Sequence, residues 1–142
     1  MDSSTLDALK RRALESFGAG RLEEAAALYR DLLAQDGTAA DLWNNLGVIL
    51  SELKRPAEAA AALRAALVLR PDYDKPWVGL GSAAFGDRLD EAVRCWTRAI
   101  QLEPRQGAGL WFNLGVTRQM RGEAAEAAAV FDRAEALKPD DP

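Results

Sequence analysis

Trp43-Asn44-Asn45-Leu46-Gly47 returns as Trp77-Val78-Gly79-Leu80-Gly81 and again as Trp111-Phe112-Asn113-Leu114-Gly115. The interval is 34 residues each time, from 43 to 77 and from 77 to 111. Behind each copy comes an alanine (Ala59, Ala92, Ala127), then a bulky residue (Leu63, Trp96, Phe131). A second alanine (Ala66, Ala99, Ala134) and a proline (Pro71, Pro104, Pro139) complete the unit. A fixed period of this kind marks a stacked array, in which each unit buries its apolar face on a neighbour. Trp43, Leu46 and Gly47 fall at i, i+3 and i+4, one face of a helix. Two helices of about 12–14 residues per unit, and no strands, are expected.

A first unit lacks the tryptophan but keeps the later half of the pattern. Arg21-Leu22-Glu23-Glu24-Ala25 precedes Tyr29, and Ala25 lies 34 residues before Ala59. The units are then 6–39, 40–73, 74–106 and 108–141. Ala59 to Ala92 is 33 residues and Ala92 to Ala127 is 35, while the tryptophan spacing is constant. One residue is therefore lost between Gly81 and Ala92, and one is gained near Gly107. A deletion inside a helix would turn every later side chain by about 100°, so both changes are expected in turns.

The punctuation agrees. Ser4 is a candidate cap for the first helix, paired with Asp7 three residues on, and Thr38 precedes the second unit. Pro56 and Pro76 sit where a first helical turn tolerates proline. Gly20, Gly86 and Gly122 fall between paired helices, where a left-handed residue is useful. Pro71, Pro104 and Pro139 end second helices.

Trp-x-x-Leu-Gly, the later alanines and the closing proline, at this period, resemble the tetratricopeptide repeat family across nearly the whole chain. The resemblance implies an all-α solenoid of four helix–turn–helix repeats in a right-handed superhelix, forming a single domain over 1–142. The recurrent tryptophans are then core residues rather than a ligand cage. Gly47, Gly81 and Gly115 let the second helix approach, with Ala59, Ala92 and Ala127 facing them. Trp96 and Phe131 fill the layer between repeats.

Composition narrows the function. With 18 basic and 22 acidic residues the net charge is −4, which does not favour binding a phosphate backbone. No histidine is present, so histidine-based acid–base chemistry and histidine metal sites are excluded. Cys95 is the single cysteine and reads as a small buried helix residue. No run of apolar residues is long enough to span a membrane, and no secretory leader is visible, so a cytoplasmic location is expected. Gly79-Leu80-Gly81 is part of the repeat, without the preceding strand that a nucleotide site needs. Glu23-Glu24 and Asp90-Glu91 stand at starts of second helices, where acids favour the dipole. Neither cofactor, metal, nucleic acid nor membrane is expected as a partner, and no catalysis.

In the family this pattern resembles, first helices line a concave groove that receives extended peptides. Carried onto this chain, the groove residues are Lys10, Arg11, Leu14 and Phe17 from the first unit, and Asn44, Asn45 and Val48 from the second. Lys75, Val78, Ser82 and Phe85 follow from the third, then Phe112, Asn113 and Val116 from the fourth. One subfamily grips acidic chaperone tails through a two-carboxylate clamp. Lys10, Asn45 and Lys75 match that clamp, whereas Leu14 and Gly79 replace its second amide and its arginine. The leading expectation is a non-catalytic scaffold binding a peptide or protein segment, acidic or carboxylate-ended. A targeting arm of a larger enzyme and a self-assembly module are the other readings. The fourth unit carries Glu135 where Leu33, Leu67 and Ile100 stand in the others, which suits a solvent-facing end. A monomer or weak homo-oligomer is therefore expected.

Overall fold

The computed structural model describes residues 2–137. They form eight helices and, among the described residues, no strand: α1 Ser3–Gly18, α2 Leu22–Gln35, α3 Ala40–Glu52, α4 Pro56–Leu69, α5 Asp74–Ala84, α6 Leu89–Leu102, α7 Ala108–Met120 and α8 Ala124–Ala136. No helix among them is long and apolar enough to cross a membrane. The chain divides into two compact units, Met1–Gly79 and Leu80–Pro142, with the cut inside α5.

The irregular third repeat resolves as the spacing requires. α5 has 11 residues, against 13 for α3 and 13 for α7. The turn after α5 runs from Phe85 to Arg88, one residue longer than Leu53–Arg55 after α3. Two residues lost from a helix end and one gained in the turn give the net deletion. The compensating residue lies in Glu103–Gly107, one longer than Arg70–Tyr73. Gly20, Gly86 and Gly122 have φ of 77°, 114° and 80°. The matching place after α3 is held by Lys54 at φ 63°, a left-handed conformation without the glycine that usually allows it. Pro56 opens α4, and Pro71 and Pro104 follow the ends of α4 and α6. Pro139 lies outside the described residues.

The first helix begins earlier than expected. Asp2, not Ser4, is its cap: the Thr5 amide donates to Asp2 Oδ1 at 2.7 Å, which puts Ser4 inside the first turn. Those hydrogen bonds from Thr5 hold the Asp2 carboxyl below its ordinary pKa. Thr38 donates both its amide and its hydroxyl to the Asp36 carboxylate, closing the α2–α3 turn, while Ala39 caps α3.

Two apolar clusters form, one in each unit. The first gathers Ala13, Tyr29, Leu32, Leu33, Leu46, Ile49 and Leu50. The second gathers Ala84, Ala92, Val93, Trp96 and Leu114. Cys95 is buried, as its small apolar character suggests. Within a helix pair each glycine makes room for a bulky side chain, and at Gly47 for the partner backbone too: a Cβ there would lie 3.3 Å from the Ala59 carbonyl oxygen. A Cβ on Gly47 would lie 2.6 Å from Leu63, and one on Gly115 would lie 2.7 Å from Phe131. A Cβ on Gly81 would strike the Trp96 indole in the same way. Trp96 and Phe131 thus fill the space within their own repeats, against the glycine of the partner helix. Trp96 is 2 % exposed, whereas Trp43, Trp77 and Trp111 are only partly buried. These three stand near the starts of α3, α5 and α7. The Trp43 indole donates to the Gly37 carbonyl at 2.9 Å, while the buried indole nitrogens of Trp77 and Trp111 have no partner among the described residues.

Candidate functional site

α1 and α3 bring three of the expected groove residues, Lys10, Leu14 and Asn45, together. Lys10 and Leu14, one helical turn apart on α1, share a pocket of about 170 Å³ with Tyr29, Asp41, Leu42 and Asn45. Asn45 Nδ2 donates to the Tyr29 hydroxyl at 3.3 Å. That bond fixes which way the amide faces, because the carboxamide oxygen is left as an acceptor. Burial pushes the Tyr29 phenol above its ordinary pKa, against the smaller opposing effect of the Asn45 bond, and the Asp41 charge adds to the rise. Tyr29 therefore stays a neutral hydroxyl at any physiological pH.

Charge in this region is mixed. Lys10 is exposed, and its positive charge helps hold Asp36 below its ordinary pKa, after the stronger effect of the Thr38 hydrogen bonds. Lys75 is exposed near the start of α5. Among the described residues neither lysine sits in an ion pair. Asp41 places a carboxylate in the pocket with Lys10 and raises the Tyr73 phenol, after the larger effect of burial. Arg70 lies over the Tyr73 ring at 4.3 Å from its centroid.

The remaining expected residues scatter by burial. Asn44 is 7 % exposed, and its Oδ1 is buried without a partner, so it does not present a free amide to solvent. Arg11 is exposed but absent from the Lys10–Asn45 pocket, being turned from Lys10 by one helical step. Leu14 is 59 % exposed, Phe17 partly buried against the first cluster, and Val48 and Val78 partly buried. In the second unit Ser82, Phe85, Phe112 and Asn113 are exposed and Val116 is half-buried. Phe85 packs on Trp96 and Phe112 on Phe131, with ring centroids 5.9 and 5.5 Å apart. Tyr29 and Asp41 were missed from the sequence. Tyr29 occupies the register of Leu63, and its hydroxyl was the signal that a polar pocket would replace an apolar contact there.

The acidic pairs at helix starts are bound by arginine. Glu23 meets Arg55 at 2.6 Å and Glu24 meets Arg21 at 2.9 Å. Asp90 meets Arg121 at 3.1 Å and Glu91 meets Arg88 at 2.8 Å. Their exposure limits each pair to about 1 kcal/mol or less.

Eight helices in antiparallel pairs, with glycine-to-bulky contacts recurring at one period, define a helix–turn–helix repeat protein. The chain belongs to the tetratricopeptide repeat family, whose family model matches residues 10–74 and 79–142. That fold is typically a protein–protein interaction module. Among curated relatives, Hsp70-Hsp90 organizing protein of Triticum aestivum is 29% identical over 99 residues, 69% of this chain and 17% of its own length. Protein O-mannosyl-transferase TMTC1 of Homo sapiens is 27% identical over 126 residues, 85% of this chain and 14% of its own. The chain therefore spans less than a fifth of these relatives. Among solved structures, MamA superposes with a TM-score of 0.84 at 23% identity, covering 97% of this chain and 75% of that one. The first TPR of Spaghetti (RPAP3), bound to HSP90 peptide SRMEEVD, gives 0.78 at 26% identity, covering 86% and 97%.

Proposed function

We propose that the first unit binds an extended peptide ending in carboxylates, with Lys10, Asn45 and Lys75 as the principal contacts. The observation that carries this reading is the pocket between α1 and α3, where Lys10 and Asn45 share one opening. A peptide carboxylate accepts charge-assisted hydrogen bonds from lysine, and the free Asn45 oxygen accepts from a peptide amide. Leu14, exposed on the pocket wall, gives an apolar side chain somewhere to rest. The neighbour solved with an HSP90 peptide supports the carboxylate-ended class, since that peptide ends in Glu-Glu-Val-Asp. Asp41 opposes an anion at the inner wall, so the charge of the peptide belongs toward Lys10 and Lys75.

The test is fluorescence anisotropy with a labelled acidic peptide, as free acid and as C-terminal amide. Lys10→Glu with Lys75→Glu is expected to weaken the free acid at least about tenfold, with the melting temperature unchanged. Raising salt from about 0.05 to 0.5 M should weaken it as well. Full affinity in the doubly reversed protein, or no effect of amidation, would place binding on another surface.

A second reading makes the chain a recognition arm of a larger enzyme. It is favoured by relatives named as protein O-mannosyl-transferases, of which the matched stretch is 10–14%. In both readings the contribution of these residues is recognition rather than chemistry.

A further inference from the structure

The packing of α3 on α1 and α2 records what the outer faces of this chain would meet. In one crevice Leu33 of α2 stands with Trp43 and Leu46 of α3. In the neighbouring pocket Tyr29 of α2 faces Asn45 of α3. Three periods on, 102 residues later, Leu33 becomes Glu135 and Tyr29 becomes Phe131. One period back, Leu46 becomes Arg12 and Asn45 becomes Arg11. Arg11, Arg12 and Glu135 are all exposed, and none sits in an ion pair among the described residues. The leucine pair that meets inside the array is thus replaced, on its two outer faces, by a carboxylate and a guanidinium. Beside Glu135 lies an open pocket of about 660 Å³ walled by Phe112, Phe131 and Ala134.

We infer that the α1–α2 face of one copy docks on the α7–α8 face of a second copy, head to tail, in the register that α3 keeps against α1 and α2. In that register Arg12 stands opposite Glu135, and Arg11 stands over the paired rings of Phe131 and Phe112. A guanidinium over an aromatic face is a favourable cation–π contact, stronger as water is excluded. The same register sets Asp132 against Glu24, where the internal interface has the Arg30–Glu58 ion pair at 3.0 Å. Arg21, 2.9 Å from Glu24, blunts that repulsion without removing it. The association is therefore weak and dependent on ionic strength. Because the two faces differ, the contact is heterologous, and an end copy keeps one face for the next.

Sedimentation of the 142-residue chain over a concentration series to about 1 mM in low salt tests this. The weight-average mass is expected to climb past that of a dimer and to fall back as salt is raised. Arg12→Glu alone, or Glu135→Arg alone, should weaken association at least about tenfold. Both positions are exposed, so circular dichroism should be unchanged. Mixing the two single variants should restore association, since each then offers the charge that the other lacks. Phe112→Ser should weaken it independently of salt. A strictly monomeric chain throughout the series overturns the inference. So does a mass that levels at a dimer, or association that either single charge reversal leaves intact.

Discussion

The α3–α4 pair and the α7–α8 pair carry the same motif in the same register, yet they bury their shared residues differently. In α3–α4, Leu63 lies between two glycines. Gly47 makes room for it in its own repeat, and a Cβ on Gly79 of α5 would lie 2.9 Å from it, leaving Leu63 2 % exposed. In α7–α8, Phe131 rests against Gly115 in the same manner but stays partly exposed, beside Phe112 at 54 %. The motif fixes how two helices of one repeat fit together. How far water is excluded is decided by whatever lies on the next side.

The largest test of that contrast is truncation of the two bulky residues. Leu63→Ala is expected to cost about 3 kcal/mol, as a fully buried leucine with little room to collapse. Phe131→Ala should cost about 2 kcal/mol although it removes more atoms, because the ring is partly exposed and borders an open pocket. Chemical denaturation with local hydrogen exchange would measure both. A greater loss for Phe131 would mean that its outer face is covered in solution.

The tryptophans give a smaller effect. Trp43→Phe removes the indole bond to the Gly37 carbonyl and should cost about 1 kcal/mol beyond the lost area. Trp111→Phe removes an indole nitrogen that is buried without a partner, so its polar contribution should be near zero or slightly stabilising. The Arg133 guanidinium, 5.7 Å from the Trp111 ring centroid, can interact with phenylalanine as well. Equal losses in the two thermal melts would show that the Gly37 bond contributes nothing.

The turns give the smallest effect. Lys54 and Gly122 occupy equivalent left-handed positions at φ 63° and 80°. Lys54→Gly should stabilise by about 0.5 kcal/mol, with relief of strain partly offset by glycine's entropy. Gly122→Ala should destabilise by about 1 kcal/mol. If both substitutions moved the melting temperature the same way, backbone strain would not be the cause.

Much of this architecture was legible because helical periodicity and turn chemistry act locally. The lost residue of the third repeat, the glycine turns and the proline at the start of α4 follow from steric rules that need no knowledge of neighbours. The shift of the first cap from Ser4 to Asp2 was not, because both side chains accept hydrogen bonds and the sequence pattern does not rank them. Pairing glycine with alanine captured only part of the contact: at Gly47 the Ala59 backbone does come close, but the nearest atoms belong to Leu63, a side chain reaching across from the partner helix. At the candidate site, Lys10 and Asn45 came from the family resemblance, which assigns the groove to first helices. The burial of Asn44 was not legible, since the adjacent residue on a helix points about 100° away. Tyr29 and Asp41 come from the neighbouring helix and from the start of α3, where no single-helix pattern brings them together.

Helices pack here against partners adjacent in the chain, and the ion pair from Arg55 to Glu23 bridges only 32 residues. Ordering such a molecule requires the closure of short loops alone, each costing little entropy. Low contact order of this kind goes with fast folding. In such an array stability is approximately a sum of repeat and nearest-neighbour contributions. A substitution is then felt first by the helices it touches.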